Sequence, residues 1–532
     1  MIQKKQILKS ASLISVITIA SRILGYLRDQ RLTLLLGTSG LADSFVLAFR
    51  IPNVLRRLVN EGSMTASFIP VFTEYQHERS PQQAWEFANR LFWTAAVVLA
   101  ALSVLGVIFA PAIVHFFALG GKADVAAGAV GLTRIMFPYI FFIGLASLAM
   151  AILNCLHVFG PPAATPILLN LSFILFSTGL VWRQFHSPAI ALSVGVLAGG
   201  VLQLAFQIPQ LVRRGMNFKF GISLRDPGVR RVAALMLPGF VGIGIGQINL
   251  LIDTIFTNAK VMPEGSLMSL YVADRVTELV LGSYAFAVAT AILPMMSRHA
   301  VGGDFESVKK TMAFALRIVS FITIPAAVGL IVLREPIIAV LFQHGHFVAE
   351  STRLAARALL YYSLGLPAFA AVKLVVPAFY SAQDTTTPVR IAVTALVLNL
   401  ILNVIFLHYF FSKFKNGSPA FATALAGYWN VGALCVMFRV RFGRFGARGI
   451  AASMAKVALC SALMGALCWM GLRFSHFLEI QRLLPRLTVF GSLIGGAVLA
   501  YLGLAWLFRC HEMREVYGLI TRAEPGGVAA AG

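Results

Sequence analysis

The chain has 532 residues, of which 58% are hydrophobic and only 12% are charged. Soluble domains carry roughly 25% charged residues, so this composition excludes a string of soluble domains and indicates a chain whose apolar surface faces a bilayer. The net charge of +23 does not indicate a nucleic-acid binder, because the basic residues lie mostly in short loops between apolar segments. A nucleic-acid binder collects them on one soluble face.

Apolar segments recur from one end of the chain to the other. A transmembrane helix needs about twenty mostly apolar residues. The basic N-terminal segment resembles a signal peptide, but no small-residue cleavage site follows it, so it is interpreted as a retained first helix. The sequence predicts an all-α polytopic membrane protein of about fourteen transmembrane helices. The predicted spans are residues 10–36, 41–69, 91–114, 135–156, 158–182, 187–212, 232–252, 266–297, 318–333, 354–382, 391–412, 416–438, 457–472 and 487–508.

The loops between these spans differ in their content of Lys and Arg. Cytoplasmic loops of membrane proteins carry the excess of both residues. The basic loops follow spans six, eight and twelve and contain Arg213, Arg214, Lys219, Arg225, Arg230, Arg231, Arg298, Lys309, Lys310, Arg439, Arg441, Arg444 and Arg448. Loops on the opposite side are poorer, although Arg473, Arg482 and Arg486 between spans thirteen and fourteen are an exception. Both termini are therefore predicted to be cytoplasmic.

Two short motifs recur at nearly the same distance along the chain. The string around Pro70 recurs around Pro294, 224 residues later, and a Thr-Pro pair at 165 recurs at 387, an offset of 222. Two copies with the same orientation are typical of transporters with parallel repeats. The predicted parts are an N-terminal lobe of helices 1–6 (1–220), a C-terminal lobe of helices 7–12 (221–440), helices 13 and 14 (441–510) and a cytoplasmic tail (511–532).

Charged side chains are concentrated in spans one, two and eight. Each charge at the bilayer centre costs about 2.5–3.5 kcal/mol, whereas a Leu or Val contributes only about 0.3–0.6 kcal/mol. The charges should therefore face a water-filled cavity or one another; the alternative is that they are interfacial residues or structural ion pairs. Arginines suit an anionic substrate, because their planar fork matches phosphate oxygens and keeps its proton. The candidate substrate-binding residues are Arg22, Arg28, Asp29, Asp43, Arg50, Asn53, Arg56, Arg275 and Glu278.

These residues lie in the most distinctive strings of the chain. Examples are SRILGYLRD (21–29), the stretch from 42 to 75, YVADRVTELVLG (271–282), LFQHGHF (341–347) and AFYSAQDTTTPV (378–389). In these strings, and over essentially its whole length, the sequence resembles the MurJ (MviN) family of lipid II flippases in the MOP transporter superfamily. The resemblance implies an alternating-access transporter that moves lipid II, an undecaprenyl-pyrophosphate-linked peptidoglycan precursor, from the cytoplasmic to the periplasmic leaflet of the bacterial inner membrane.

The same resemblance implies two further sites. Helices 13 and 14 would form an apolar groove for the polyprenyl tail, beside a central cationic cavity. A sodium site would lie between helices 7, 11 and 12, with Asp253, Asn399, Asn403 and Thr423 as its candidate ligands. Oxygen ligands suit such a hard cation, but Asn403 stands where related sites have an acid. Hydrogen bonding between helices by buried Asn and Thr is the alternative.

Transporters of other substrates and membrane enzymes are alternatives to a lipid II flippase. A related MOP exporter of drugs would favour an acidic and aromatic cavity for cations, and an exporter of polysaccharide lipid-linked units would share the architecture. A membrane enzyme needs paired carboxylates or a histidine cluster, and His344 and His346 are two lone histidines in a loop, so no enzymatic activity is expected. No cofactor is expected apart from Na⁺ as a coupling ion. Expected partners are lipid II, membrane lipids and other cell-wall synthesis proteins, but not nucleic acid.

Overall fold

The computed structural model of the protein describes residues 2–60, 63–282, 286–480, 482–513 and 515. Glu61, within the second predicted span, and most of the predicted C-terminal tail lie outside these residues. The chain divides into two compact units. The first unit comprises Met1–Met268 and His344–Val348, and the second comprises Ser269–Gln343 and Ala349–Gly532. The predicted lobe boundaries at 220 and 440 follow a sequence repeat rather than compactness, and they stay a prediction.

Both units are built from helices. The first unit contains α1 (Ile2–Leu36), α2 (Gly40–Asn60), α3 (Ser63–Glu78), α4 (Pro81–Ile108), α5 (Ala110–Phe117), α6 (Ala123–Met136), α7 (Tyr139–Cys155), α8 (Gly160–Phe176), α9 (Gly179–Trp182), α10 (Pro188–Arg213) and α11 (Pro227–Thr257). Helix α12 (Ser266–Val280) begins in the first unit and continues into the second. The second unit contains α13 (Phe286–Val301), α14 (Phe305–Val332), α15 (Arg334–Phe342), α16 (Ala349–Ser381), α17 (Thr386–Tyr409), α18 (Phe411–Phe414), α19 (Ser418–Phe442), α20 (Ala447–Phe474) and α21 (Leu483–Leu507).

Every predicted span falls on one or two of these helices, which confirms the all-α, multi-pass membrane fold. In the described part of the chain, eight helices are long and apolar enough to cross a membrane. The pair α6 and α7, bent by 42° at its break, makes a ninth crossing if it is one span. Predicted span two is divided between α2 and α3, and span eight between α12 and α13. The number of fourteen crossings therefore stays a prediction.

The order of helices repeats along the chain. Helices α4 and α14 each have 28 residues and begin at residues 81 and 305, 224 apart. Each is followed by a short helix, α5 or α15, and these begin at residues 110 and 334, also 224 apart. The turns before α8 and α17 both contain a non-glycine residue with left-handed backbone, His157 and Gln383, each with a φ of 58°. The structure thus supports the predicted parallel repeat.

Several helices begin in the same way, with a polar residue followed by proline. The Ser80 side chain accepts a hydrogen bond from the Gln83 N–H at the start of α4, and Ser187 accepts one from Ala189 N–H at the start of α10. Asp226 does the same at α11. The cap supplies an acceptor for an otherwise unpaired N–H, and proline has no N–H that needs one. These pairs fix where the long helices start.

Glycines allow the helices of the first unit to approach closely. A Cβ built on Gly106 of α4 would lie 1.8 Å from the ring of Phe137, at the bend between α6 and α7. One built on Gly200 of α10 would lie 2.6 Å from the ring of Tyr139. Small residues at helix contacts are typical of membrane proteins, where close packing replaces the hydrophobic driving force. The core of this unit is therefore organised around α7.

Candidate functional site

The most elaborate polar cluster of the first unit surrounds Arg28 on α1. The guanidinium donates from Nε and Nη2 to Asp29 Oδ1, at 3.0 and 2.8 Å, and from Nη1 to Asn170 Oδ1 at 3.2 Å. Asn170, on α8, donates in turn to the Ser21 carbonyl at 3.1 Å. The Arg28 side chain is 15% exposed and that of Asp29 is 8% exposed. Arg28 is thus a half-buried cation whose orientation is fixed from two sides.

Sequence reasoning missed Asn170 in this cluster. Its signal was present: an amide within the apolar span 158–182 needs a hydrogen-bonding partner, and a charged partner in another span satisfies that need. Arg31, one turn beyond Arg28, was also missed. Its guanidinium donates to the hydroxyl and the carbonyl of Ser177, each at 3.2 Å, so it ties α1 to the end of α8. Arg22, in contrast, lies exposed on α1.

The predicted residues on α2 divide into two environments. Arg50 is 6% exposed and donates to the Thr254 hydroxyl on α11, so it joins two helices within the first unit. Arg56 and Asn53 are half-buried, and Arg56 Nε donates to Asn53 Oδ1 at 2.8 Å. The predicted residues of α2 therefore have different contacts: Arg50 links two helices, and Asn53 orients Arg56.

Asp43 occupies an environment different from the predicted one. It is 1% exposed, and its carboxylate accepts the Gly265 N–H at 2.9 Å and the Met268 N–H at 3.0 Å. These N–H groups belong to the start of α12, where the helix dipole favours a negative charge. Asp43 therefore caps the start of α12. Its part in binding the substrate stays a prediction.

Asp43 belongs to a group of turns held together mainly through backbone atoms. We call the segments 34–43, 118–122, 258–268 and 344–348 the turn cluster. Within it, Lys122 Nζ donates to the Pro263 carbonyl at 2.8 Å, and His346 N–H donates to the Leu34 carbonyl at 3.0 Å. An isolated antiparallel bridge joins Gly121 to Ala259. The cluster contains the last four residues (344–347) of the LFQHGHF string.

The second unit carries the predicted pair on α12. Arg275 Nη1 pairs with Glu278 Oε2, and the Arg275 guanidinium carbon lies 5.0 Å from the centre of the Tyr271 ring. Lys373 of α16, which sequence reasoning missed, interacts electrostatically with Glu278. Its signal is a single ammonium well inside the apolar span 354–382. The second unit therefore has a small charged cluster of its own, with two cations and one acid.

The four candidate sodium ligands fall into two groups. In the second unit, Asn399 Nδ2 donates to the Thr423 hydroxyl at 2.9 Å, and Asn403 Nδ2 donates to Asn399 Oδ1 at 3.1 Å. Asp253 belongs to the first unit, where its carbonyl accepts from the Thr257 hydroxyl and its carboxylate from Asn249 at 3.4 Å. The structure thus brings Asn399, Asn403 and Thr423 together in hydrogen bonds between α17 and α19. No group of three His, Cys, Asp or Glu side chains suited to a metal occurs among the described residues.

An apolar cavity of about 420 Å³ lies in the second unit between α14, α20 and α21. Its walls are aliphatic and aromatic side chains with glycine, and the hydroxyl of Tyr501 donates to the Phe321 carbonyl at 2.7 Å. Because that hydroxyl is already paired, the cavity offers a ligand little but hydrocarbon contact. Helices α20 and α21 are the predicted helices 13 and 14, for which an apolar groove was expected.

A family model described as lipid II flippase MurJ matches residues 32–488, well over half of the chain. The chain belongs to the lipid II flippase MurJ family. A relative from Vibrio cholerae serotype O1, named probable lipid II flippase MurJ, is 36% identical over 513 residues, which cover 94% of this chain and 96% of that protein. A solved structure of lipid II flippase MurJ in an inward closed conformation is 25% identical with a TM-score of 0.76, and it covers 93% of this chain and 98% of that one.

The MurJ family shares its fold with other transporters. An inward-facing multidrug resistance MATE family transporter of the MOP superfamily has a TM-score of 0.65 at 17% identity, covering 80% of this chain and 95% of that one. At that identity the likeness shows the fold alone. The MurJ family model begins at residue 32, after Arg22, Arg28 and Asp29. The match to the family model therefore does not include these three residues.

Proposed function

We propose that this chain is a lipid II flippase, which moves the undecaprenyl-pyrophosphate-linked precursor from the cytoplasmic to the periplasmic leaflet by alternating access. In a chain of the MurJ family, the observation that carries the proposal is the half-buried, oriented guanidinium of Arg28. Its planar fork suits pyrophosphate oxygens, and its charge persists at every physiological pH. Flipping a lipid changes no covalent bond, so the protein acts as a transporter rather than as an enzyme.

Asp29 has a defined part in this proposal. Before the substrate arrives, its carboxylate neutralises Arg28 through two hydrogen bonds. An arriving pyrophosphate competes with that carboxylate for the same guanidinium. Arg22 and Arg56 of the first unit contribute further positive charge to headgroup binding, and a role for Arg275 of the second unit stays a prediction. This supports an anionic substrate over the cations that a drug exporter carries.

The two chemically different parts of lipid II need different sites. The pyrophosphate and sugars are polar and are held by the arginines. The polyprenyl tail is hydrocarbon, and the apolar cavity between α14, α20 and α21 suits it because the one hydroxyl in its wall, that of Tyr501, is already paired. The tail then stays in an apolar medium while the headgroup crosses. We propose this cavity as the tail groove.

The location and orientation belong to the same proposal. The protein lies in the bacterial inner membrane with both termini in the cytoplasm, because the basic loops follow predicted spans six, eight and twelve. An inside-negative membrane potential then favours outward movement of an anionic headgroup, by about 2.3 kcal/mol per net charge per 100 mV. Na⁺ as a coupling ion, held by Asn399, Asn403 and Thr423 of the second unit, and contacts with other cell-wall synthesis proteins are further proposals, and Asp253 stays a predicted ligand.

The direct test is transport by the arginine variants. In a strain depleted of its own flippase, the wild-type chain should support growth, and loss of the chain should make lipid II accumulate in the cytoplasmic leaflet. Arg28→Ala should fail because the pyrophosphate loses its oriented partner, and Arg28→Lys should fail as well because an ammonium has no bidentate fork. The measurement is leaflet-resolved lipid II together with growth at matched protein levels.

The matched control is Arg183→Ala. Arg183 is also an arginine, but it is exposed. Its guanidinium carbon lies 5.9 Å from the centre of the ring of its neighbour Trp182. It should support full growth. Full growth with Arg28→Ala at wild-type protein level would contradict the proposed role of the arginine cluster.

A further inference from the structure

The segment between α10 and α11 crosses the side of α4 as an extended strap. We call residues 214–226 the linker. Its main chain and polar side chains are tied to α4 at four points along its length. These are Asn89 to Asn217 at 2.8 Å, the Trp93 ring N–H to the Phe218 carbonyl at 3.1 Å, the Ser223 N–H to the Thr94 hydroxyl at 3.2 Å, and Arg90 with Asp226 at 2.9 Å. The linker is therefore held in one defined place.

The linker nevertheless exposes large apolar side chains. Phe220 is 72% exposed, Ile222 is 47% exposed and Leu224 is 66% exposed. Phe220 and Ile222 alternate with Gly221 and Ser223, and alternate side chains of an extended segment lie on the same edge. The Phe220 ring contacts the Trp93 ring of α4, with 5.2 Å between the ring centres, yet most of its surface stays exposed, and Leu224 follows in the turn before α11. An ordered segment that exposes three apolar side chains within five residues marks a surface for an apolar partner.

The same segment is strongly basic. Asp226 is the one acid between residues 213 and 231, and it is engaged by Arg90 and by capping α11. Arg231 pairs with Glu74. The exposed basic side chains of this stretch are Arg213, Arg214, Lys219, Arg225, Arg230 and Arg231. An apolar edge within a basic stretch is the combination that binds anionic lipid surfaces.

The position of the linker gives the depth at which it lies. It follows directly on Arg213, the last residue of α10, which is long and apolar enough to cross the membrane. Its residues therefore lie near the level of the lipid headgroups. We propose that the linker binds the surface of the membrane, with Phe220, Ile222 and Leu224 inserted at the boundary between headgroups and acyl chains. Arg213, Arg214 and Arg225 contact the phosphates of anionic phospholipids.

Depth-dependent fluorescence quenching tests this in the full-length protein. Ile222→Trp is reconstituted in vesicles of phosphatidylcholine alone, or of phosphatidylcholine and phosphatidylglycerol in equal amounts, with the same fraction of phosphatidylcholine brominated near the headgroup. Its emission, corrected for the wild-type protein, should be quenched at least twofold more by the brominated lipid than that of Lys219→Trp, whose side chain leaves the opposite edge. Iodide should show the reverse order. Leu224→Trp repeats the measurement if Ile222→Trp does not fold.

Phosphatidylglycerol should strengthen the quenching at position 222, and 1 M salt should cancel that gain because the Debye length falls from about 10 Å at 0.1 M to about 3 Å. Equal lipid quenching at positions 222 and 219 would overturn membrane insertion. Equal quenching with and without phosphatidylglycerol would overturn anionic lipid as the partner. Protection of position 222 from both quenchers would overturn the proposal in favour of a covering protein.

Discussion

Asp43 shows how a single buried charge can hold a turn in place. Its carboxylate is enclosed, and two backbone N–H groups of the same turn point at it. A hydrogen bond to a charged group contributes about 1.5–3 kcal/mol, and a buried charge without partners is costly. Because the partners are main-chain groups, the interaction depends on the path of the chain at Gly265, which has a φ of 78°. Asp43 therefore positions α12 by accepting hydrogen bonds from its main chain.

Asp43→Asn should therefore act on stability before it acts on the substrate. The amide keeps one acceptor oxygen but turns an NH₂ group toward an N–H, so we expect a loss of about 1.5–3 kcal/mol, seen as a lower midpoint of thermal unfolding in detergent. The affinity of the folded protein for lipid II should stay within about twofold of wild type. Arg28→Ala, measured beside it, should weaken lipid II binding well beyond this range, whatever its unfolding midpoint. Weaker lipid II binding with an unchanged unfolding midpoint would instead make Asp43 a substrate ligand.

At the residue scale, the sequence predicted which side chains are unusual but not which partners they have. The cost of a charge in a bilayer was enough to select Arg28, Asp29, Asp43 and Arg50 from the first two spans. Their partners come from distant parts of the chain: Asn170 is 142 residues from Arg28, and Thr254 is 204 residues from Arg50. Neither spacing along one helix nor composition contains that information. The hydrogen bonds of Asp43 to the start of α12 were not predicted for this reason.

At the scale of an element, the turn between α16 and α17 is also held by one buried carboxylate. Asp384, 2% exposed at its side chain, accepts from the Thr387 N–H at 3.0 Å and the Thr386 hydroxyl at 3.1 Å, and it pairs with Arg441 at the end of α19. Burial acts to raise the pKa of Asp384, but these hydrogen bonds and the charge of Arg441 outweigh it and hold the pKa below its ordinary value of 3.8. One carboxylate thus caps one helix and ties it to another.

This turn should make stability depend on acid in a defined direction. A carboxyl whose pKa is lower in the folded than in the unfolded state stabilises the fold above the unfolded value, and it loses that contribution as the pH falls through the folded value. The difference in unfolding midpoint between wild type and Asp384→Asn should be constant above about pH 5 and shrink below pH 3.8. Arg441→Ala should reduce this difference. A difference that grows on acidification would show that the carboxyl is destabilising when charged.

At the element scale, the apolar windows predicted the spans but not where each helix begins. The third predicted span begins at residue 91, whereas α4 begins at Pro81, directly after its cap Ser80. Breaks within a span were not predicted either, because an apolar window does not reveal where a helix bends. The bend of 42° between α6 and α7 lies inside one predicted span, and it leaves room for the Phe137 ring against Gly106. That contact depends on a second helix.

At the scale of the whole molecule, the distribution of Lys and Arg among the loops predicts which side of the membrane each loop faces. Lys260 lies in the exposed turn before α12, and Gly302 lies in the exposed turn after α13, one predicted span further along. Lys260→Cys should react with a membrane-impermeant maleimide added to intact cells with a permeable outer membrane. Gly302→Cys should react only after the inner membrane is opened. The wild-type protein is the background control, since its five cysteines are buried or half-buried. The reverse pattern would invert the proposed orientation.

The two left-handed turns have a consequence for which part of a corner is constrained. His157 and Gln383 adopt the same left-handed backbone before α8 and α17, although one side chain is an imidazole and the other an amide. What the two corners share is therefore the path of the main chain into the next helix, and not the chemistry of the side chain. A corner of this kind restricts the backbone and leaves the side chain open to change.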